Sequence, residues 1–495
     1  MRRFGLILTV VALLLSLGIF FRHVPAAAAQ SGQSAGLVRT SAPVPVTAKP
    51  AVSSSLTTPA VLPGSTLYLA KRGDTLPLVA RHMLSQTSFL TSSELADAIR
   101  KANADLAKKT FLKAGEPLVV PGILDAPIVE KTVPVARDFE VRAVYLTGLM
   151  AGSDHGLRII RHWREVGGNA VVFDIKDSDG SVNVPFEHPL LGKHHTPLPD
   201  LPKFVRFLHS QNMHAIARVA IFRDERLVVE HPELAVKSHR TGQPWRENGK
   251  LVWTDPSQPK VQEYNIALAM KAAKAGVDEV QFDYVRFPAE GDQKDATFVF
   301  QSEHAAWHRT DVISDFLKSA YAQLHPTGVL LSLDVFGVMA WQREVDLAHT
   351  GQDIVGMAQH CDVLSPMIYP SHFFGMDGIA HPGDAPEHFI GTSMDRFILI
   401  TKGSGVVIRP WLQAFHWRTK TYSPKYIEVQ VQTAKQKGGI GFLFWNAAND
   451  YSKPYAAMPE MQAAKGKYFR GDEIGSSVQA SLVHESAPAP SPTAP

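Results

Sequence analysis

VDEVQFDYVRFP, residues 277–288, decides the fold. It is an apolar run that delivers Asp283 to its end, with Tyr284, Arg286 and Pro288 following at once. Such a run reads as a strand of a parallel sheet covered on both faces. A carboxylate and a guanidinium on its rim are costly to desolvate unless they serve as partners or as a site. The arrangement recurs in LLSLDVFG, residues 330–337, where Asp334 takes the same place. Repetition turns one unusual strand into an argument about function.

Outward from these two, six more strands are legible: VRAVYLTGL (141–149), NAVVFDIKD (169–177), MHAIARVAIF (213–222), CDVLSPMIYP (361–370), VVIRPWLQAF (406–415) and GIGFLFWNAAND (439–450). Helical spacing falls between them at 155–166, 201–211, 259–275, 303–324 and 423–437; Leu157, Ile160 and Trp163 share one side of the first. Eight strands alternating with helices predict an α/β fold, a (β/α)8 TIM barrel spanning 139–470. A doubly wound open sheet is the competitor. No GxGxxG or GxxxxGK[ST] run follows the first strand, which weakens the nucleotide-binding versions of that sheet.

Polar residues gather at the C-terminal ends of the strands, where barrel enzymes keep their catalytic groups. Strand two ends in Asp174, Lys176 and Asp177. Strand three carries Arg218, strand four Asp283 and Arg286, and strand five Asp334. Strand six ends in Tyr369, strand seven carries Trp411 and Gln413, and strand eight ends in Trp445 and Asn446. Carboxylates, arginine and aromatic rings around one mouth suit a carbohydrate, whose C–H faces pack on rings and whose hydroxyls need polar partners. Cleaving a glycosidic bond takes two carboxyl groups. Asp283 and Asp334, on adjacent strands, are the expected catalytic pair, with Arg286 placed to hold one of them ionised. Asp174, Lys176, Asp177, Arg218, Arg286, Tyr369, Trp411, Gln413, Trp445 and Asn446 are the expected substrate-binding residues.

The runs VRAVYLTG, NAVVFDIKD, FDYVRFP, SLDVFG, DVLSPMIYPSHF, RPWLQAF and GFLFWNA, in this order, resemble a glycoside-hydrolase-like barrel family known mainly as a domain of unknown function and distantly like the alpha-amylase-type barrels. The resemblance implies a glycosidase barrel. The amylase pattern has an arginine two residues before the strand-four aspartate; Gln281 stands there in this chain, and Asp334 stands where amylases use a glutamate.

A smaller block at 64–123 reads as strand, helix, helix, strand, with a turn at Arg72–Gly73–Asp74 and Asp74 or Thr75 as helix cap. Tyr68, the run Gly73-Asp74-Thr75-Leu76, Ala80, Leu95, Ile99, Asn103, Gly115, Leu118 and Val120-Pro121 resemble a LysM module. That resemblance implies an α+β domain binding N-acetylglucosamine-containing glycan such as peptidoglycan. Residues 1–29 read as a signal peptide or signal anchor: Arg2 and Arg3 precede an apolar run at 4–21, and small residues follow it. Retained, the run would anchor the chain in a membrane; either way the rest is expected outside the cytoplasm, in periplasm, at the cell surface or secreted. Residues 30–63 and 471–495 read as disordered spacer and tail, and 124–138 as a linker.

A net charge of +3 is too small to imply nucleic acid as partner. Cys361 is the single cysteine, expected to be a small buried hydrophobe. The oxygen-rich run at 177–181 lacks the late glutamate of a calcium loop, and His188, His194 and His195 lack zinc spacing, so the sequence calls for no metal and no cofactor. No GxSxG run follows a strand, which disfavours Ser-His-Asp hydrolysis. The expectation is an exported glycosidase acting on envelope or extracellular polysaccharide. A non-catalytic glycan-binding scaffold, and a polysaccharide deacetylase or lyase, are the alternatives.

Overall fold

The computed structural model describes residues 63–106, 108–123 and 135–463. The expected signal at 1–29, most of the expected spacer and linker, and the expected tail at 471–495 lie outside the described residues.

The small block has the expected order. Strands Ser65–Leu69 and Pro117–Pro121 pair antiparallel, with Tyr68 opposite Leu118, and helices Leu76–Met83 and Ser92–Ala102 lie between them in sequence. Thr75 and Thr91 cap the two helices through their hydroxyls, which accept from Leu78 N (3.3 Å) and Glu94 N (3.2 Å). Asp74 instead braces the turn, accepting from Lys71 N at 2.7 Å and Tyr68 OH at 3.0 Å. Leu76, Val79, Ala80, Leu95, Ile99, Leu118 and Val120 form its core. The Asn103 amide ties the second helix to the second strand by exchanging two 2.8 Å bonds with Val119.

The eight expected strands close into one parallel barrel. In order they are Arg142–Leu146, Ala170–Lys176, His214–Ala220, Glu279–Asp283, Leu330–Phe336, Val363–Met367, a broken strand seven made of Val407–Ile408 and Trp411–Gln413, and Phe442–Trp445. Strand eight pairs with strand one, Phe442 opposite Arg142, and strand five with strand six, Ser332 opposite Val363, so no edge is left open. Strand seven breaks at Pro410, which has no N–H to donate to the ladder. The helix expected from 303 starts at Arg309 instead. His304 leaves helical geometry, and the Asp311 carboxylate caps the new start by accepting from His308 N at 2.7 Å.

Apolar side chains fill the shell between strands and helices, and Cys361 is buried there among them. The barrel interior is different. Val141, Ala143, Val172, Ile216 and Leu443 form an apolar middle, below Tyr145, Tyr369 and Trp411. Near the N-terminal ends of the strands, Glu279 accepts from Arg409 Nη1 at 2.7 Å and lies 3.2 Å from His214 Nε2, all fully buried. Burial alone would raise the Glu279 carboxyl; Arg409 and His214 outweigh it and hold the group at about 2. A depressed carboxylate contributes stability that is complete above its unfolded value and is lost as pH falls toward the folded one. Glu279→Gln is therefore expected to remove about 3 kcal/mol at pH 6, and the gap to wild type should shrink between pH 4.5 and 3. Denaturant midpoints across that range measure it; a gap independent of pH would refute the assignment.

The small block rests beside the upper rim of the barrel. Thr91 hydrogen-bonds Asp154, Glu94 pairs with Arg161 at 2.6 Å, and Lys203 Nζ donates to Leu84 O at 3.0 Å. Asp154 and Lys203 are in the first turns of helices Asp154–Glu165 and Leu201–Ser210, which follow strands one and two. A cleft of about 290 Å³ separates the two bodies there, lined in part by Arg81, Thr91, Leu157 and Lys203.

Candidate functional site

Period-two alternation sends Tyr145, Asp174, Arg218, Asp283, Asp334 and Trp411 into the top of the barrel from six strands. They meet around Arg218. Its Nη1 donates to Asp174 Oδ1 at 2.5 Å, its Nη2 to Asp283 Oδ2, and its Nε lies 3.6 Å from Asp334 Oδ2. One guanidinium thus serves three carboxylates. Burial would weaken its charge, and the three aspartates raise its pKa well above the usual value.

The remaining carboxylate oxygens are also occupied. Tyr145 OH donates to Asp174 Oδ2 at 2.5 Å, Tyr284 N to Asp283 Oδ1 at 2.6 Å, and Trp411 Nε1 to Asp334 Oδ1 at 2.6 Å. Asp334 is 1% exposed and Asp283 5%. Burial and the Asp283 charge push the Asp334 carboxyl well above the usual range, against Arg218 and Trp411. Asp177, largely buried at the rim with some surface left open, is also pushed well up, first by burial and then by the Asp174 carboxylate it abuts. Tyr145, Tyr369, Phe415 and Trp445 wall the mouth; Trp445 stacks on Tyr145 at 6.5 Å and meets Phe415 edge-on at 5.3 Å. Trp445 and Phe415 keep exposed surface, whereas Tyr369 and Trp411 are buried beneath them.

Arg286 does not perform the expected task. Tyr284 adopts a left-handed φ of 54°, which turns the chain out of strand four. Arg286 then lies between the rings of Trp253 (4.6 Å) and Phe336 (4.5 Å) and donates to Phe287 O at 3.0 Å. Arg218, from the neighbouring strand, supplies the cation to Asp283 instead. Arg286 faces a second acidic pair, Glu247 and Glu290, that sequence reading did not single out. Burial and Glu247 raise the Glu290 carboxyl to about 7.

Lys176 also lies elsewhere. The ladder slips between Asp174 and Lys176, so Lys176 points outward, away from the mouth. Its Nζ pairs with Asp224 at 2.7 Å and donates to Asn265 Oδ1 at 2.9 Å, fully buried. Lys176→Met would strand Asp224 without a counter-charge and is expected to cost about 3–5 kcal/mol, while kcat of the folded fraction stays near wild type. A stable variant with a raised KM would restore Lys176 to the binding site.

Gln413 and Asn446 hold loops. Gln413 accepts from Ser371 N (3.2 Å) and donates to Phe415 O (3.0 Å); Asn446 donates to Ala414 O (2.6 Å) and Asp450 O (3.0 Å) and accepts from Ala448 N (2.8 Å). Two contributors beyond the expected set are Tyr145 and Asn183. Alternation along strand one already pointed Tyr145 inward. Asn183 lies in the loop after strand two, and no periodic signal marks it.

A family model described as "Putative glycosyl hydrolase domain" matches residues 143–451. Comparison with curated proteins returns no match. Among solved structures, a hypothetical protein from Ruminiclostridium thermocellum is 36% identical, with a TM-score of 0.35, over 39% of this chain and 97% of its own. The PgaB (BpsB) glycoside hydrolase domain from Bordetella bronchiseptica is 15% identical, with a TM-score of 0.49, over 65% and 99%. The Bacillus cereus spore cortex-lytic enzyme SleL is 12% identical, with a TM-score of 0.39, over 80% and 86%. At these TM-scores the likenesses carry no inference about chemistry.

Proposed function

This chain belongs to the "Putative glycosyl hydrolase domain" family, and on that premise we propose that it is an exported glycosidase that cleaves a cell-envelope or extracellular polysaccharide. The observation that carries the reading is the meeting of Asp174, Asp283 and Asp334 on one buried guanidinium at the C-terminal mouth of the barrel. Charge held in a dry, fixed geometry is what an oxocarbenium-like transition state needs.

Asp283 is the nucleophile in this reading. Its oxygens accept from Arg218 and from Tyr284 N, and it is less enclosed than Asp334. Asp334, kept protonated behind it, limits the negative charge that Arg218 must balance. Asp283 and Asp334 reach adjacent nitrogens of Arg218, and a carboxylate nucleophile implies a glycosyl-enzyme intermediate and retention of configuration. Trp445 and Phe415 offer rings for sugar faces. The small block, with its strand–helix–helix–strand order, would hold N-acetylglucosamine-containing glycan such as peptidoglycan beside the same rim.

The test is to incubate the exported chain with peptidoglycan, its de-peptidated glycan strands and a panel of exopolysaccharides. New reducing ends are expected by mass spectrometry, with retained anomeric configuration by NMR. Release of acetate from an uncut chain would establish a deacetylase instead. Binding across the whole panel without turnover would establish a non-catalytic glycan-binding protein.

A further inference from the structure

A retaining glycosidase needs a proton donor that can reach the leaving oxygen. Asp334 is poorly suited: it is sealed in, with one oxygen on Trp411 Nε1 and the other facing Arg218. Glu290 stands beyond Arg286 and is held by Asn248 at 3.0 Å.

The loop leaving strand two holds a different candidate. Asp174 is 1% exposed, and its two oxygens already accept from Arg218 and Tyr145. Asp177 abuts it from the rim and keeps exposed surface. Asn183 Nδ2 donates to Asp177 Oδ2 at 3.0 Å and lies 3.2 Å from Asp174 O. The Asn183 amide is nested against Gly148, where a Cβ would come within 2.1 Å of it. The backbone closes the same turn, with Asp177 N donating to Ser181 O at 2.9 Å and Gly180 N to Asp177 O at 3.0 Å. One carboxyl therefore has both oxygens occupied as acceptors. Its neighbour is clamped by one oxygen, keeps some exposed surface, and cannot share the space as a second anion without strong repulsion.

We propose that Asp177 is the proton donor to the leaving glycosidic oxygen, that Asp174 is its ionised partner, and that Asn183 is the positioning residue; this rests on the glycosidase reading above. In the first step an Asp283 oxygen bonds to the anomeric carbon. The bond from that carbon to the leaving oxygen breaks, and its electron pair takes the Asp177 proton. Asp283 loses its charge on becoming an ester, so Arg218 turns more fully to Asp174 and eases the ionisation of Asp177. In the second step water attacks the anomeric carbon and gives a proton to Asp177. The ester bond breaks and Asp283 regains its charge.

The experiment compares wild type, Asp177→Asn and Asn183→Ala on two probes: the glycan that wild type cleaves best, and the glycosyl fluoride of the same sugar, whose leaving group needs little proton help. Asp177→Asn is expected to lose about 10²–10⁴-fold in kcat/KM on the glycan and far less on the fluoride. Its alkaline limb in the pH–rate profile should vanish, and added azide should yield a glycosyl azide of retained configuration. Asn183→Ala removes a bond to the ionised form, so its alkaline limb should move to higher pH. A thermal midpoint near that of wild type reports that each variant is folded. Equal losses on both probes, or no loss on either, would overturn the assignment of Asp177. A wild-type chain that cleaves no glycan of the panel would remove the glycosidase reading itself.

Discussion

Replacing Arg218 by methionine is expected to destabilise the protein by about 3–5 kcal/mol and to abolish turnover. The side chain fills similar space, so the loss comes from charge. Asp174, Asp283 and Asp334 would be left in the barrel top without their shared cation. The Asp334 carboxyl, already raised by burial and by Asp283 and lowered by Arg218, would then be pushed further up. A carboxyl raised in the folded state binds its proton more tightly there than in the unfolded chain, so stability falls as pH rises. The gap between wild type and Arg218→Met should therefore be widest at pH 8 and narrow toward pH 5. Arg218→Lys restores a point charge without the planar fork, and should fall between the two. Denaturant midpoints at the two pH values decide the matter. A methionine variant as stable as wild type at pH 8 would mean that the three carboxylates do not depend on Arg218.

Asp283→Asn is the second large effect. It should lower kcat on the cleaved glycan by about 10⁴-fold or more, the scale seen when a nucleophile is deleted from an enzyme. Stability should move little or rise, because one of three crowded carboxylates has gone. Removing the Asp283 charge should also let Asp334 ionise at lower pH, since that charge is among the causes that raise it. Asp334→Asn should cost less activity, as Asp334 is the more enclosed of the two. Initial rates, with mass spectrometry of a trapped glycosyl-enzyme in wild type, measure this. A variant within tenfold of wild type would sink Asp283 as nucleophile.

The strands and the mouth were legible because they are local properties. Apolar runs of strand length bounded by Gly, Pro and charge read directly, and all eight lie in the barrel. Sequence order and chain direction then place Asp174, Asp283 and Asp334 at one end. Partners were less legible. Arg286 lies three residues from Asp283 in sequence, yet the left-handed Tyr284 carries it into a box of aromatic rings. Arg218 is 65 residues away and hydrogen-bonds Asp283 because strands three and four are neighbours, with Arg218 opposite Gln281. Lys176 sits on the expected strand, but a one-residue slip in the ladder turned it outward. Gln413 and Asn446 hold the right address and spend their amides on backbone.

The division between sequence and tertiary structure follows from range. By itself the sequence determined which segments bury both faces, the alternation of strand and helix, and which ends of the strands carry charge. The run at 277–288 was enough to place Asp283 at the end of a buried strand. Only the tertiary structure decided which cation Asp283 meets, which aspartates burial raises and which side chains face the mouth. Those depend on barrel closure, on register between neighbours and on single backbone dihedrals. Each moves a charged group by several ångströms, and at low dielectric such a shift decides whether two charges pair.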